Sequence, residues 1–245
     1  MLDSHTRITD RAALLAATGD HPFARLTTQS GDVLGLVGEA TTVWVGDRRG
    51  DPLLGAIGDG PAALDVVVAL HRDGTIGVGA RAELPRMDHA VVAAAYPNSH
   101  VIDWDLRWLT AEPPITPGED RVVTLGPADF DEIDAILDAA LADPYVRPGA
   151  SRARAWYGIR DGADLVAVAA DTSTAGFGFL NSIAVRPDRH GHGFGSAITC
   201  YLARRQRAVA DVVLLGVMAD NIGASRLYHR LGYAGLHEMT AFTLR

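Results

Sequence analysis

Apolar residues in the second half of the chain alternate between strand-like and helix-like spacing. Residues 122–125, 155–160 and 165–170 form short apolar runs typical of strands, and residues 129–142 place their apolar side chains on one face of a helix. The DGAD sequence between the second and third runs is typical of a hairpin turn. The pattern therefore predicts a strand, a helix and then two antiparallel neighbouring strands.

A parallel strand–helix–strand unit is predicted after this hairpin. Residues 177–185 form an apolar strand, residues 196–209 carry apolar side chains at helical spacing, and residues 211–218 are apolar enough for a strand buried on both faces. The glycine-rich sequence AVRPDRHGHGFGS joins the first strand to the helix. A short helix over residues 222–231, capped by Gly232, closes this half.

The first half shows a mixture of helix and strand signals without a legible chemical motif. The sequence AEPPITPGED clusters proline, glycine and acidic residues without apolar periodicity, which predicts a linker. We therefore predict an N-terminal domain over 1–110, a linker over 111–120 and a C-terminal domain over 121–245. The fold class is α/β, with an α+β mixed sheet and the N-terminal domain the smaller. In that domain the pattern predicts helices over 11–18, 61–71 and 86–96 and strands over 41–45, 53–57 and 100–109.

Charge and composition exclude several classes of partner. The formal net charge of −8 over 245 residues argues against nucleic acid and anionic membranes, whose binding requires an excess of Lys and Arg. The longest apolar run, residues 212–219, is shorter than the roughly 20 residues that span a bilayer, and the polar start carries no signal sequence. Cys200 is the single cysteine, which suits a reducing compartment and predicts a packing role. We expect a cytoplasmic protein, whose oligomeric state stays open, a homodimer included.

The glycine-rich sequence predicts an anion site at the start of a helix. A helix start presents unpaired backbone N–H groups and the positive end of its dipole, and Gly191, Gly193 and Gly195 let an anion approach that backbone. A dinucleotide fingerprint, GxGxxG, fails because the third glycine would fall at Ser196 or Ile198. A metal site on the two neighbouring histidines lacks a third ligand, and a plain surface turn stays open as an alternative.

Two sequences resemble motifs of the GNAT superfamily of N-acetyltransferases. VRPDRHGHGFGSAI is similar to that family's acyl-CoA pyrophosphate loop, and NIGASRLYHRLGY is similar to its Asn-x-x-Ala-x-x-Leu-Tyr motif followed by Leu-Gly-Phe. The resemblance covers about half of the chain, and the two motifs occur in order, separated by one helix and one buried strand. The first half, with its comparable content of helices and strands, is a candidate degenerate second copy.

The resemblance implies an acetyl-CoA-dependent acyltransferase that uses no metal. It implies transfer of an acetyl group to a primary amine of a small molecule or an amino-acid-like acceptor by direct attack, with Tyr228 as general acid. Asn221 and Tyr228 are seven residues apart, about two helical turns and 10 Å, so they point to the same side of a helix. The implied acetyl-CoA-binding residues are Ile183, Ala184, Val185, His190, Gly191, His192, Gly193, Phe194, Gly195, Ser196 and Asn221.

The motif match leaves three questions open. His190 stands where the family has Arg or Gln, with Arg189 one place earlier, so the side-chain contribution to phosphate binding differs from the family pattern. The general base is unassigned. The alternative function is that of a regulatory protein that binds acyl-CoA without turnover. A nucleotide-binding domain of the Rossmann type is the third hypothesis. The residues considered for the base are Asp171, Asn181, His237 and Glu238, and those considered for the acceptor pocket are Trp104, Trp108, Trp156 and Tyr157.

Overall fold

The computed structural model describes residues 2–29, 33–48, 51–174 and 176–245. The strands are β1 (Thr6–Ile8), β2 (Leu34–Val37), β3 (Thr41–Arg48), β4 (Asp51–Gly58), β5 (Arg81–Pro85), β6 (Ile102–Leu109), β7 (Val122–Leu125), β8 (Ala155–Asp161), β9 (Asp164–Asp171), β10 (Phe177–Val185), β11 (Val212–Met218) and β12 (Gly235–Thr243). The helices are α1 (Arg11–Ala17), α2 (Pro22–Thr27), α3 (Gly60–Arg72), α4 (His89–Ala95), α5 (Phe130–Ala140), α6 (Phe194–Arg207) and α7 (Ile222–Arg230).

The chain forms two compact units that are not consecutive in sequence. The first comprises residues 1–106, 218–220 and 237–245, and the second comprises residues 107–217 and 221–236. This division differs from the predicted C-terminal domain over 121–245, because the final residues make their contacts in the first unit. There β12 pairs antiparallel with β5, in a register that places Phe242 opposite Ala82.

The first unit contains a mixed sheet covered by helices. Its strands β1 to β4 pair antiparallel in sequence order, and β4 pairs parallel with β5 through the crossover helix α3. Trp44 and Phe23 are fully buried in this unit. The predicted helix over 86–96 is shorter in the structure, because β5 extends to Pro85 and the Asp88 carboxylate caps α4 by accepting the Ala90 N–H. The sequence pattern missed β1, α2, β2 and β5.

The second unit follows the predicted order closely. Strands β7 to β10 pair antiparallel in sequence order, and β8 and β9 form the predicted hairpin. Strand β10 pairs parallel with β11, as the strand–helix–strand prediction requires. Helix α6 packs its apolar side on this sheet, where Ile198 and Leu202 are fully buried. Predicted and observed bounds agree for β7 and β10 and differ by at most two residues at either end for the other predicted elements of this unit.

The two halves of the chain share one sequence of elements and pairings. Each half contains three successive antiparallel pairings, a parallel pairing across a crossover helix, a further helix and a last strand: β1 to β6 in the first half and β7 to β12 in the second. This correspondence supports the prediction that the first half is a degenerate second copy of the same fold. That prediction concerns ancestry, and it stays a prediction.

Candidate functional site

The second unit contains an opening between two parallel strands. Strands β10 and β11 pair from Phe177 opposite Val212 to Leu180 opposite Leu215. Both strands continue beyond these residues, to Val185 and Met218, while their pairing ends there as far as the structure describes them. Backbone N–H and C=O groups along the second half of β10 therefore face a gap on this side. An extended ligand with amide groups can use such groups as an added strand does.

A β-bulge redirects β10 where the pairing with β11 ends. Its register against β9 passes from Asn181 opposite Ala170 to Ala184 opposite Val168, so two residues of β10 face one of β9. Ser182 in this bulge has φ of 47°, an uncommon conformation for a residue other than glycine. Its hydroxyl donates to the Val146 carbonyl at 2.7 Å and accepts the Val146 N–H at 3.1 Å, which holds the bulge in place. The sequence analysis missed this residue.

The loop after β10 needs glycine at two positions for conformational reasons. Gly191 and Gly193 have φ of 81° and 83°, and a Cβ added to either would meet nothing within 4 Å. Their space is open, so the left-handed backbone is what favours glycine there. Gly195 differs, since an added Cβ would lie 3.6 Å from both Leu227 Cδ2 and Val185 Cγ2. The end of β10, the start of α6 and the packing side of α7 therefore meet at Gly195.

Helix α6 starts without a side-chain cap. Gly193 is its N-cap residue, no side chain caps the helix start, and the first hydrogen bond of the helix runs from the Ala197 N–H to the Gly193 carbonyl at 3.0 Å. The N–H groups of Phe194, Gly195 and Ser196 precede that bond, so the helix itself cannot satisfy them. Such a helix start is suited to an anion, and the anion site itself stays a prediction. This geometry places the predicted residues 191–196 together at one helix start.

The arginines of the loop are engaged by carboxylates. Arg186 makes two contacts with the Asp188 carboxylate, at 3.0 and 2.9 Å, and this ion pair lowers the pKa of Asp188. Arg189 Nη1 lies 3.3 Å from an Asp161 carboxylate oxygen. The positive charge of these two arginines is therefore largely compensated within the protein. The groups that stay available to an anion at this helix start are the backbone N–H groups.

The two loop histidines contact the loop itself. His190 Nε2 lies 3.1 Å from the Val185 carbonyl oxygen, and His192 Nδ1 lies 3.0 Å from the His190 carbonyl oxygen. The His192 ring stacks on Phe194, with ring centroids 6.0 Å apart and planes 11° apart. The Arg121 guanidinium lies 5.3 Å from the centroid of the same Phe194 ring. These contacts order the loop around Phe194, whose side chain is buried.

Helix α7 carries the other two predicted residues on one side of the unit. Asn221 is its N-cap residue, and the Asn221 Oδ1 accepts the Ala224 N–H at 3.1 Å. That oxygen is engaged, which leaves the amide N–H groups of Asn221 to serve a ligand. Tyr228 is 6% exposed, and burial raises the pKa of its hydroxyl to about 12. Its ring packs edge-on against Tyr233, with centroids 6.1 Å apart.

The residues considered for the general base have other roles or positions. Asp171 accepts hydrogen bonds from Ser173 and from Gln206, and Asn181 donates its amide to Thr172. His237 and Glu238 belong to the first unit, where burial, with a smaller effect of His21, lowers the pKa of His237 to about 3. None of the four is arranged as a free base in the second unit, and the base stays unassigned.

The remaining predicted residues lie in or near the cores. Cys200 is fully buried in α6, and burial raises the pKa of its thiol to about 11. Trp156 and Tyr157 are buried in the second unit, and Trp104 is buried in the first. Trp108 lies against Gly235 in the second unit. Their predicted role in an acceptor pocket stays a prediction.

The described parts of the chain contain neither a cluster of metal-binding side chains nor a membrane-spanning helix. In residues 2–29, 33–48, 51–174 and 176–245, no three His, Cys, Asp or Glu side chains come together in a way that could hold a metal ion. Within the same ranges, every helix is too short or too polar to cross a membrane.

Comparison with known proteins agrees with the resemblance seen in the motifs. The family model described as FR47-like protein, a GNAT-related family, matches residues 156–241. This span runs from β8 into β12 and contains every residue predicted to bind acetyl-CoA and the predicted acid Tyr228. No curated protein matches the sequence.

Solved structures match both units. A GNAT-family protein from Novosphingobium aromaticivorans is 22% identical, with 94% of this chain and 95% of that chain covered and a TM-score of 0.54. GCN5-related N-acetyltransferases from Sphaerobacter thermophilus and Kribbella flavida are 18% and 17% identical, each with a TM-score of 0.50. The matches cover 98% of this chain and 94% of the Sphaerobacter chain, and 96% of both chains for the Kribbella protein.

These matches define the fold. The chain has a GNAT-type acyltransferase fold, and the recognition of a GNAT-type domain in its C-terminal half is confirmed.

Proposed function

We propose that this protein transfers an acetyl group from acetyl-CoA to a primary amine of a small molecule or an amino-acid-like acceptor. The observation that carries the proposal is the gap between β10 and β11 beside the uncapped, glycine-rich start of α6. A thioester donor with a phosphorylated, amide-containing arm needs both features in one place. The GNAT-type fold supports acyl transfer in general.

The donor's groups find matching partners along this gap. The N–H groups of Phe194, Gly195 and Ser196 suit the pyrophosphate, because a helix start favours negative charge. Backbone groups of Ile183, Ala184 and Val185 suit the amides of the pantetheine arm, whose carbonyls and N–H groups can complete the strand edge. The amide of Asn221 is a further donor near the start of α7. Donor recognition is thus mainly a property of the backbone.

The chemical step forms one bond and breaks another. The neutral amine nitrogen attacks the thioester carbon, forming the C–N bond, and the carbonyl oxygen takes up negative charge. Collapse of this intermediate breaks the C–S bond, and the sulfur leaves with the electron pair. Backbone N–H groups freed by the β10 bulge are suited to stabilise the oxygen charge, as preordered donors do in acyl transfer.

Tyr228 completes the proton balance as general acid. Its hydroxyl donates a proton to the departing sulfur and regains one from the nitrogen, which becomes acidic once the C–N bond has formed. The net movement is from amine nitrogen to sulfur. The pKa of Tyr228, about 12, lies above the reference pKa of about 8.5 for a thiol, so Tyr228 is the weaker acid of the two. Its transfer of a proton to the sulfur is therefore completed only when Tyr228 takes up the proton from the nitrogen. The buried tyrosine stays protonated at neutral pH.

A thiol-release assay tests the proposal. Acetyl-CoA is supplied with amino acids, polyamines, aminoglycosides, arylamines and peptide N-termini as acceptors, and free CoA is measured. We expect release with at least one amine. Binding of acetyl-CoA without release for any acceptor would contradict acyl transfer and favour the regulatory alternative. Stabilisation by NAD with no response to CoA would favour the nucleotide-binding alternative.

The variant Tyr228→Phe gives the sharpest test of the acid role. We expect kcat to fall about a hundredfold, the usual effect of losing a general acid or base, while acetyl-CoA affinity stays within twofold. The matched control is Tyr233→Phe, which removes a buried hydroxyl that has no hydrogen-bond partner among the described residues. That control should keep wild-type kcat. Equal losses in both variants would indicate a packing role for the two rings.

The pH dependence of the rate follows from the raised pKa of Tyr228. Acceptor amines lose their proton as pH rises, so kcat/KM should increase. The Tyr228 hydroxyl stays protonated until pH approaches about 12, so no decrease should follow below pH 10. Initial rates between pH 6 and 10, with far-UV circular dichroism to confirm folding, measure both effects. A decrease centred below pH 10 in the folded protein would argue against Tyr228 as the acid.

A further inference from the structure

The outer face of α7 and a strand residue line a second, cationic pocket in the second unit. The pocket has a volume of about 350 Å³ and is lined by Arg107, Ser225, Arg226, His229 and Arg230. Three of these five side chains are guanidinium groups, and none is a carboxylate. This concentration of positive charge is unusual in a chain with a formal net charge of −8.

The pocket lies on the opposite side of α7 from Tyr228. At 100° per residue, Ala224, Leu227 and Tyr228 form the packing side of the helix, and Ser225, Arg226, His229 and Arg230 form the other. The pocket therefore does not share its α7 side chains with the acyl-transfer site. It is a separate feature of the second unit.

Arg107 builds the floor of this pocket. The residue is 9% exposed, which is rare for an arginine, and its Nη2 donates to the Ser225 hydroxyl at 2.8 Å. This hydrogen bond joins the strand residue to the helix and fixes where its charge is presented. A buried guanidinium that lines a pocket is a more specific feature than a set of exposed arginines.

The helix arginines carry charge that the protein itself does not neutralise. Among the residues that the structure describes, Arg226 and Arg230 form no ion pair, whereas Arg186 and Arg189 of the glycine loop are both engaged by aspartates. Arg230 lies in the last turn of α7, where a cation also favours the helix dipole. That effect does not explain Arg226. An external anion would compensate the charges of these two helix arginines.

We propose that this pocket binds the phosphate group of a small anionic ligand. Guanidinium groups bind phosphate through paired N–H donors, and three of them with a serine hydroxyl match a group with several acceptor oxygens and up to two negative charges. The inference does not rest on the proposed acyl transfer. The phosphate has two sources to be distinguished: the 3′-phosphate of CoA itself, or a separate phosphorylated molecule.

Calorimetric titration with inorganic phosphate tests the site directly. Compared with the wild type, the double variant R226Q/R230Q should bind phosphate at least about tenfold more weakly, because two charged donors are lost. The control R154Q/R205Q removes two exposed arginines of the same unit that also form no ion pair among the described residues. Its affinity should stay within twofold of the wild type. Both variants replace solvent-exposed side chains and should melt at wild-type temperature.

The glycine loop can also attract phosphate, and the variants separate the two sites. Identical titration curves for the wild type and R226Q/R230Q would show that phosphate binds only elsewhere, which overturns the proposal. The source follows from affinities for acetyl-CoA and its 3′-dephospho form. A loss in R226Q/R230Q for acetyl-CoA alone assigns the pocket to the 3′-phosphate of the donor. Unchanged affinities for both, together with weaker phosphate binding, assign it to a separate ligand.

Discussion

The two units contain the same connection, from the fourth strand to the crossover helix, in two different forms. In the first unit, Asp59 alone separates β4 from α3, whereas residues 186–193 separate β10 from α6. Helix α3 is capped by the Asp59 carboxylate, which accepts the Ala62 N–H at 2.8 Å. Helix α6 has no side-chain cap. The positive end of the helix is thus neutralised by a carboxylate in the first unit and left without one in the second.

The first connection is closed to an anion for three reasons. The Asp59 carboxylate supplies the negative charge, and Pro61 has no N–H to offer. A Cβ added to Gly60 would lie 2.5 Å from the Pro85 carbonyl oxygen, so that backbone is packed against the chain. At Gly191 and Gly193, an added Cβ would meet nothing within 4 Å. Glycine content alone therefore does not make a helix start available to an anion. Its N–H groups must also lack a side-chain cap and must not be covered by other parts of the chain.

Placing a carboxylate at the start of α6 should have the largest effect on donor binding. We expect Gly193→Asp to weaken acetyl-CoA binding about a hundredfold. The substitution places a carboxylate at the N-cap of α6, the position that Asp59 has at α3, and this negative charge would repel the pyrophosphate. The control Gly193→Asn has nearly the same shape, tolerates a left-handed backbone and carries no charge. It should lose no more than about tenfold. Isothermal titration calorimetry measures both, and equal losses would indicate a steric effect.

Removing the cap of α3 should affect stability and leave donor binding unchanged. Asp59→Ala leaves an N–H group at the helix start unsatisfied, so the free energy of unfolding should fall by about 1 kcal/mol. Asp59→Asn keeps a capping oxygen and should lose little. Denaturant unfolding measures the stability, and acetyl-CoA affinity should match the wild type in both variants. A change in that affinity would mean that the first connection takes part in donor binding.

Local patterns predicted much of the second unit. The bounds of β10 follow from apolar spacing, the helix after it begins and ends two residues earlier than predicted, and Pro187 and the glycines mark the loop between them. The glycine spacing also indicated an anion site at the start of this helix. Close approach of an anion was the predicted reason for all three glycines. In the structure, the left-handed φ angles at Gly191 and Gly193 require glycine there, and no such constraint applies at Gly195.

Features that depend on distant residues could not be predicted. The unusual backbone of Ser182 depends on hydrogen bonds to Val146, and the charge of Arg189 is met by Asp161. The sequence analysis assigned no strand after Gly232, and local patterns do not name the partner of β12, which is β5. The pocket on α7 was missed because the sequence around Arg226 and Arg230 is typical of a solvent-exposed helix face. Only the fold brings Arg107, which is distant in sequence, beside them.

The smallest expected effect concerns His190, the loop residue that departs from the family pattern. Its ring contacts the Val185 carbonyl at the end of β10, and the proposed anion site consists of backbone N–H groups. An arginine can keep a donor near that carbonyl and adds a charge, so His190→Arg should leave acetyl-CoA affinity unchanged or improve it up to about threefold. His100→Arg, which adds the same charge at an exposed position of the first unit, is the control. A tenfold loss confined to His190→Arg would show that the loop is misaligned with the family motif and that the imidazole is needed to shape the start of α6.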